Sequence, residues 1–275
     1  MGRIRGGVTE GLPADSGDGP ALAPLVVVRS GPAGPCGAFH IPEGNTSVEF
    51  HLSHLKRYGL KAWCLRGACG LAHRAVGFRA LRGMTLEPDD LDPTYLADAS
   101  PFSHHACSAV EFSRLVDAPE LASAKFYEGA MERGDRCHYM AEGGRVVSYG
   151  WYATGPVPAV DDTWVHFSSA YIYMYKGFTL PEYRGKQLHA YGMARAAVEA
   201  RDGGYRGLIS YVEVQNEGSL RSVARMGYRV FGTCVRMRIL GGTRTFSSSG
   251  CRPYGFELSL SPQAVAGTTS VPAGR

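Results

Sequence analysis

The chain has 275 residues, 44% of them apolar and 20% charged, with 36 Gly and 16 Pro. That balance belongs to a globular protein with a substantial core and excludes collagen-like, mucin-like and wholly unfolded classes. A net charge of +4 is too small to mark a nucleic-acid binder. The best apolar run, Ala21 to Val28, contains Pro24, follows Glu10, Asp15 and Asp18, and ends at Arg29 without a small-residue cleavage site. It is neither a membrane span nor a secretory signal, so a cytoplasmic protein is expected.

In chain order, residues 1–45 are rich in Gly, Pro, Ala and Asp without periodicity and read as a flexible arm. Residues 46–105 read as a basic amphipathic helical extension. Within it Leu55, Tyr58, Ala62, Leu65, Cys69, Ala72 and Val76 recur at three and four, the spacing of one helical stripe. From Glu49 to Gly83 seven bases (Lys56, Arg57, Lys61, Arg66, Arg74, Arg79, Arg82) face one acid, a local +6 in a chain of +4. Two readings of this segment stand side by side: a solvated basic face over a stripe docked on the main domain, or attachment to an anionic membrane surface or an acidic protein such as an acyl carrier protein.

Residues 106–261 alternate strands and helices. We expect a strand over Val110–Val116, a helix over Pro119–Arg133, and a hairpin of Cys137–Ala141 and Arg145–Ala153 turning at Gly143-Gly144. An alternating stretch Trp164–Thr179 precedes a helix from Gly185 to Ala200, a buried strand Gly207–Val214, a helix Glu217–Met226 and a strand Tyr228–Leu240. A final hairpin is expected from Thr243–Ser247 and Tyr254–Leu260, and residues 262–275 form a flexible tail. The layout is mixed α/β with its crossover helices late in the chain. Seven scattered cysteines without a C-x-x-C read as reduced thiols. His104-His105-Ala106-Cys107 lacks a partner cluster, so no metal is expected.

Two segments carry chemistry. In Lys176-Gly177-Phe178-Thr179-Leu180-Pro181-Glu182-Tyr183-Arg184-Gly185-Lys186-Gln187-Leu188-His189-Ala190 a strand ends in a basic, glycine-containing turn that opens a helix. Free helix N–H groups, the helix dipole, Arg184 and Lys186 suit an anion, with a phosphate-bearing ligand the natural occupant. Further on, Asn216 stands where its side chain would cap the helix that starts at Glu217, and Gly227 where a helix would end.

Together, Pro181-Glu182-Tyr183-Arg184-Gly185-Lys186, Asn216-x-x-Ser219 and Arg225-Met226-Gly227-Tyr228 resemble the GNAT superfamily of acyl-CoA-dependent N-acyltransferases, over about Ser108 to Leu240. The resemblance implies a central mixed sheet splayed between its fourth and fifth strands, flanked by helices, with acetyl-CoA or another acyl-CoA in the gap. It implies that Gly177 and Thr179 pair with the pantetheine arm, that Arg184, Gly185, Lys186, Gln187, Leu188, His189 and Ala190 form the pyrophosphate loop, and that Asn216 lies beside the pantetheine. Gln187 and His189 stand where the family has Gly or Ala, and a hydrogen bond from His189 to phosphate is expected in compensation. Val223 stands where a tyrosine acid is common. Glu213, alone among acids between Asp202 and Glu217, is either a salt-bridge partner or the catalytic base. Tyr171, Tyr173 and Tyr175 share one strand face opposite Ile172, Met174 and Lys176 and offer a substrate wall, or an ordinary aromatic strand face.

The implied activity is N-acyl transfer, acetyl first, to the amine of a small molecule. The alternatives are a longer-chain enzyme fed by an acyl carrier protein and a non-catalytic module that binds CoA or a partner.

Overall fold

The computed structural model describes residues 55–115 and 124–263. The expectations for residues 1–45 and for most of the 262–275 tail fall outside them. Eight strands form the main sheet: β1 (Arg79–Leu86), β2 (Ser103–Ser108), β3 (Arg136–Glu142), β4 (Arg145–Ala153), β7 (Tyr171–Thr179), β8 (Gly207–Glu213), β9 (Arg229–Ile239) and β10 (Gly242–Ser247). They run in the order β10-β9-β1-β8-β7-β4-β3-β2. Three short strands, β5 (Val157–Pro158), β6 (Trp164–His166) and β11 (Glu257–Ser259), make a second sheet in the order β11-β6-β5. The helices are α1 (Leu60–Val76), α2 (Ala109–Leu115), α3 (Ala124–Glu132), α4 (Leu188–Asp202) and α5 (Glu217–Met226). This is the mixed α/β sheet flanked by helices that the sequence led us to expect.

β7 and β8 are parallel. A parallel pair needs a crossover connection, and α4 supplies it, packed on the sheet through its small face. Ala190, Gly192, Ala194, Ala197 and Ala200 are buried there, meeting Met84, Leu86, Tyr152 and Leu208. The other face buries Leu81, Tyr171, Tyr173, Ile209, Cys234, Phe256 and Leu258. A third cluster joins Phe112 of α2 to Cys137, Tyr149 and Trp151 of the β3–β4 hairpin.

The largest departure from the sequence reading is β1. The segment expected to form an extension supplies a strand in the middle of the sheet, antiparallel to β8 on one side and to β9 on the other. Leu81, Met84 and Leu86 have no exposed surface, so the core, not an appendage, claims them. Gly83 belongs there because a Cβ would lie 2.5 Å from the Phe231 ring. The boundary at 105/106 therefore divides no structure, and Arg79 and Arg82 of the basic segment are strand residues.

Three smaller corrections have local causes. Ala109–Leu115 is helix α2 where a strand was expected: Ser108 Oγ accepts from the Glu111 N–H at 3.2 Å while Glu111 Oε2 accepts from the Ser108 N–H at 2.7 Å, a reciprocal capping box. The terminal hairpin does not form, because β10 pairs with β9 and β11 pairs with β6. The alternation through Tyr175 fails because the β4–β7 register shifts between Trp151 and Tyr152, which leaves Tyr175 the unopposed residue of a bulge. Lys176 accordingly shares the Tyr175 side, its Nζ 4.0 Å over the Phe126 ring that also packs against Tyr175. The predicted Glu217–Met226 helix and the 143–144 turn form where expected.

Candidate functional site

The sheet opens between β7 and β8. Their register runs Tyr171↔Gly207, Ile172↔Leu208 and Tyr173↔Ile209 and stops. β4 still pairs with β7 as far as Thr179, and β1 with β8 as far as Glu213. From Met174 to Thr179 on one lip and Ser210 to Glu213 on the other, each strand therefore turns a ladder-free edge toward the gap. Unpaired backbone N–H and C=O groups on such an edge must find partners in water or in a ligand. Ser210 bridges the base of the opening, its hydroxyl donating to the Met174 carbonyl at 2.8 Å.

At the far end of β7 the chain passes through a short 3-10 turn, Pro181–Tyr183, into the residue 184–187 loop and α4. Tyr183 donates to Glu142 and Arg145 pairs with Glu182 at 3.0 Å, bracing this turn against the β3–β4 hairpin. Gly185 and Gln187 both adopt left-handed backbone, φ +86° and +61°. For a glutamine that conformation is strained, yet it is the one the loop requires, and the side chain is exposed. No side chain caps α4. Among the described residues none accepts from the N–H groups of Leu188 and His189. Alternating left-handed residues, unclaimed N–H donors and the positive helix end form an arrangement whose chemistry suits an anion. Arg184 is exposed beside it, and Lys186 leans over the Phe102 and Tyr183 rings at 5.3 and 4.8 Å.

His189 does not point at this loop. Its ring lies on Gly177 and Gly150: a Cβ on Gly177 would come 2.2 Å from His189 Cε1, and one on Gly150 3.3 Å. Desolvation lowers the imidazole to about 4 against a hydrogen bond to the Tyr149 backbone. The expected side-chain bond to phosphate is thus corrected: a neutral ring fills space that two glycines vacate, and only the His189 backbone belongs to the loop. Asn216 caps α5, its Oδ1 accepting from the Ser219 N–H at 3.2 Å. One residue was missed from the sequence. Tyr58, from the basic segment, sets its hydroxyl against Gly218 in the first turn of α5, 3.0 Å from where a Cβ would stand.

Glu213 closes β8 beside the opening, but both of its oxygens are taken. Arg79 reaches Oε1 at 2.6 Å, and Gln215 donates to Oε2. A carboxylate held this way joins β1 to β8 and is poorly placed to accept a proton, so the structure favours the salt-bridge reading over the catalytic one. Of the three tyrosines, Tyr171 is 1% exposed with its hydroxyl donating to Glu87 at 2.8 Å; it lies at the paired end of β7, in the core. Tyr173 is buried as well, stacked between Tyr175 and Tyr211. Tyr175 alone sits where the sheet opens, donating to Asp135 Oδ2 at 2.8 Å. Burial pushes the Asp135 carboxyl above its usual range despite its 2.6 Å pairing with Arg133. Burial, then the Asp135 charge, push the Tyr175 phenol well above its own. A substrate wall therefore reduces to Tyr175, with Tyr211 half-buried on the opposite lip.

His104 and His138 stack across β2 and β3 with Nε2 and Nδ1 3.2 Å apart. Among the described residues no three His, Cys, Asp or Glu side chains converge as metal ligands, and no helix is long and apolar enough to cross a membrane.

No family model matches the chain, and no curated protein does. Solved structures similar to it include GNAT acetyltransferases. A GCN5-related N-acetyltransferase-like protein from Streptococcus suis is 15% identical, over 66% of this chain and 69% of its own, with a TM-score of 0.42. A GCN5-related N-acetyltransferase from Kribbella flavida is 17% identical over 67% and 65%, TM-score 0.41. A tandem GNAT protein from the clavulanic acid biosynthesis pathway is 16% identical over 72% and 59%, TM-score 0.38. This chain thus spans less than two thirds of the length of the last two. Likeness at these scores carries no functional weight, and the geometry of the opening has to supply it.

Proposed function

We propose that this chain is an acyl-CoA-dependent N-acyltransferase of the GNAT kind, moving an acyl group, acetyl in the first instance, to the amine of a small molecule. The observation that carries the reading is a parallel strand pair that separates after three paired residues and ends, on the β7 side, in a loop with left-handed Gly185 and Gln187 and unclaimed helix N–H groups. An extended chain bearing amides at one end and phosphates at the other fits that shape. Gly177 and Thr179 on the β7 edge would pair with the pantetheine amides, and the N–H groups of Gly185, Gln187, Leu188 and His189 with Arg184 would hold the phosphates. Asn216, at the cap of α5, would border the arm from the β8 side.

Bound there, acyl-CoA supplies a thioester carbonyl open to attack by a neutral amine. The chain's own part is positioning: the strand edge fixes the arm, and Met174, Tyr175, Tyr211 and Val212 close the two faces of the opening against water. Glu213 holds β1 on β8 through Arg79.

The test is release of free thiol from acetyl-CoA over a panel of small amines, with longer acyl-CoAs in parallel. Amine-dependent release supports the reading. The pinned Glu213 and the valine at 223, half-buried on α5, favour one rival, a module that binds CoA without turnover. Calorimetric binding of CoA without thiol release on any amine would select it, and absence of binding would remove both.

A further inference from the structure

α1 is fixed to the domain by one side only. Of its residues only Ala62 and Cys69, seven apart on one stripe, are buried. Its end is tied down as well: the Gly77 N–H donates to the His73 carbonyl at 2.8 Å and the Phe78 N–H to that of Ala72 at 3.3 Å, and the buried Arg236 donates to the Gly77 carbonyl at 3.1 Å. The opposite side faces outward, and it is not polar. Leu60, Trp63 and Leu71, spaced three and then eight residues apart on that face, are 63%, 40% and 68% exposed. Lys56, Arg57, Lys61 and Arg74 are exposed around them, and residues 55–77 hold five bases and no acid. A solvated helix would carry charges of both signs on this side. Here an apolar line along a helix of roughly 25 Å is flanked by cations alone.

We propose that the outward face of α1, with the turn that precedes it, is a docking surface for an anionic lipid bilayer, Leu60, Trp63 and Leu71 entering the interface while Lys61 and Arg74 of the helix and Lys56 and Arg57, ahead of its Gly59 cap, meet the headgroups. Charge complementarity selects the sign of the surface, since every ionised group on the face is positive. Shape suits a plane: the three apolar side chains share one arc of a single helix, exposed rather than seated in a cleft, which is how interfacial helices lie. Aromatic Trp63 and the long stems of the bases suit the boundary between headgroups and acyl chains. The segment adjoins the opening in the sheet: Tyr58, just ahead of α1, touches Gly218 of α5, and within α1 the Glu213 charge contributes, after burial, to raising the Cys69 thiol. Docking on α1 would hold that opening close to the lipid. The attachment itself does not depend on acyl transfer, so it stands or falls separately from the proposed activity.

The experiment is vesicle flotation and tryptophan fluorescence on the full chain, with phosphatidylcholine vesicles alone or carrying 30% phosphatidylglycerol. The chain holds three tryptophans, Trp63, Trp151 and Trp164; Trp151 is 1% exposed and Trp164 half-buried, so a shift on binding reports mainly on Trp63. Expected are binding to the anionic vesicles in 50 mM NaCl, at least tenfold weaker binding to neutral vesicles or in 500 mM NaCl, and a blue shift that brominated lipid quenches. L60S/L71S and K56E/K61E should each cost at least tenfold while leaving thermal unfolding unchanged, since all four side chains are exposed. Vesicle binding that ignores lipid charge and salt, or survives both variants, overturns the proposal. So does a chain that ignores vesicles but binds an acidic acyl carrier protein through the same residues. If a variant fails to fold, the lipid and salt series on the native chain still decides.

Discussion

Gly177→Ala isolates the contact that lets a histidine occupy the first turn of α4. The added Cβ would stand 2.2 Å from His189 Cε1, 2.5 Å from Nε2 and 3.0 Å from Met174 Cε. Gly177 does not take a left-handed backbone, so the cost is steric and not conformational. The ring has no easy retreat within the protein: Gly150 and Tyr152 lie behind it, and it is hydrogen-bonded to the Tyr149 backbone. Either β7 shifts or the ring swings out into the opening. Overpacking of this kind costs about 1–3 kcal/mol, and we expect about 2 kcal/mol in urea unfolding followed by circular dichroism. A ring displaced into the opening would also weaken acyl-CoA binding in calorimetry by at least tenfold, about 1.4 kcal/mol. In Gly177→Ala/His189→Ala the clash is gone, so the double variant should be more stable than the two single losses add up to, with a coupling of about 1–2 kcal/mol. Additive losses, or a Gly177→Ala protein as stable as the native one, would refute the packing argument.

Arg184→Glu replaces a charge-assisted phosphate contact with repulsion and should weaken acyl-CoA at least tenfold, about 1.4 kcal/mol, in calorimetry; unchanged affinity would remove Arg184 from the loop's work. Desolvation, the largest cause in each case, lowers His138 to about 3 and His104 and His189 to about 4. Arg136 and the neighbouring His104 depress His138 further, while exposed Glu199, 3.9 Å away, opposes this weakly. The unfolded chain, with histidines near 6.5, then takes up protons the native state refuses, so stability should fall as pH drops from about 6.5, the His104 and His189 contributions levelling off below about 4 and that of His138 below about 3. His138→Phe should reduce that slope by about one proton, roughly 1.4 kcal/mol per pH unit, and an unchanged slope would contradict the assignment. Asp161→Ala strips Arg236, 1% exposed, of its 2.9 Å partner, and an unpaired buried guanidinium should cost about 3 kcal/mol in urea unfolding; a loss under about 1 kcal/mol would mean water reaches it.

Legibility followed the range of the interactions. The β3–β4 hairpin and α5 are specified by nearby residues, the paired glycines at 143–144 and the Asn216 cap, and both form where the sequence places them. The Ser108-Glu111 capping box was equally local and was available as a sign that a helix, not a strand, opens there. β1 was hidden because its reasons lie far away: two arginines and a glycine suit a strand only once Glu213 answers Arg79 across 134 residues and Phe231 fills the space over Gly83. The turn at 184–187 and the helix it opens were legible from local signals, while the way His189 is tolerated depends on Gly177 of β7 and Gly150 of β4. The same distance effect decides Glu213, whose isolation in the sequence suggested chemistry and whose partner Arg79 supplies a structural role.

The account rests on an acyl-CoA lying along the open edge of β7, and hydrogen exchange of the full chain with and without saturating acetyl-CoA tests this directly. Protection is predicted over residues 174–190, where the strand edge and the N–H groups of the loop acquire acceptors, with smaller changes at 210–219. Exchange at 174–190 unaltered by acetyl-CoA, or protection confined to another part of the sheet, would contradict the placement.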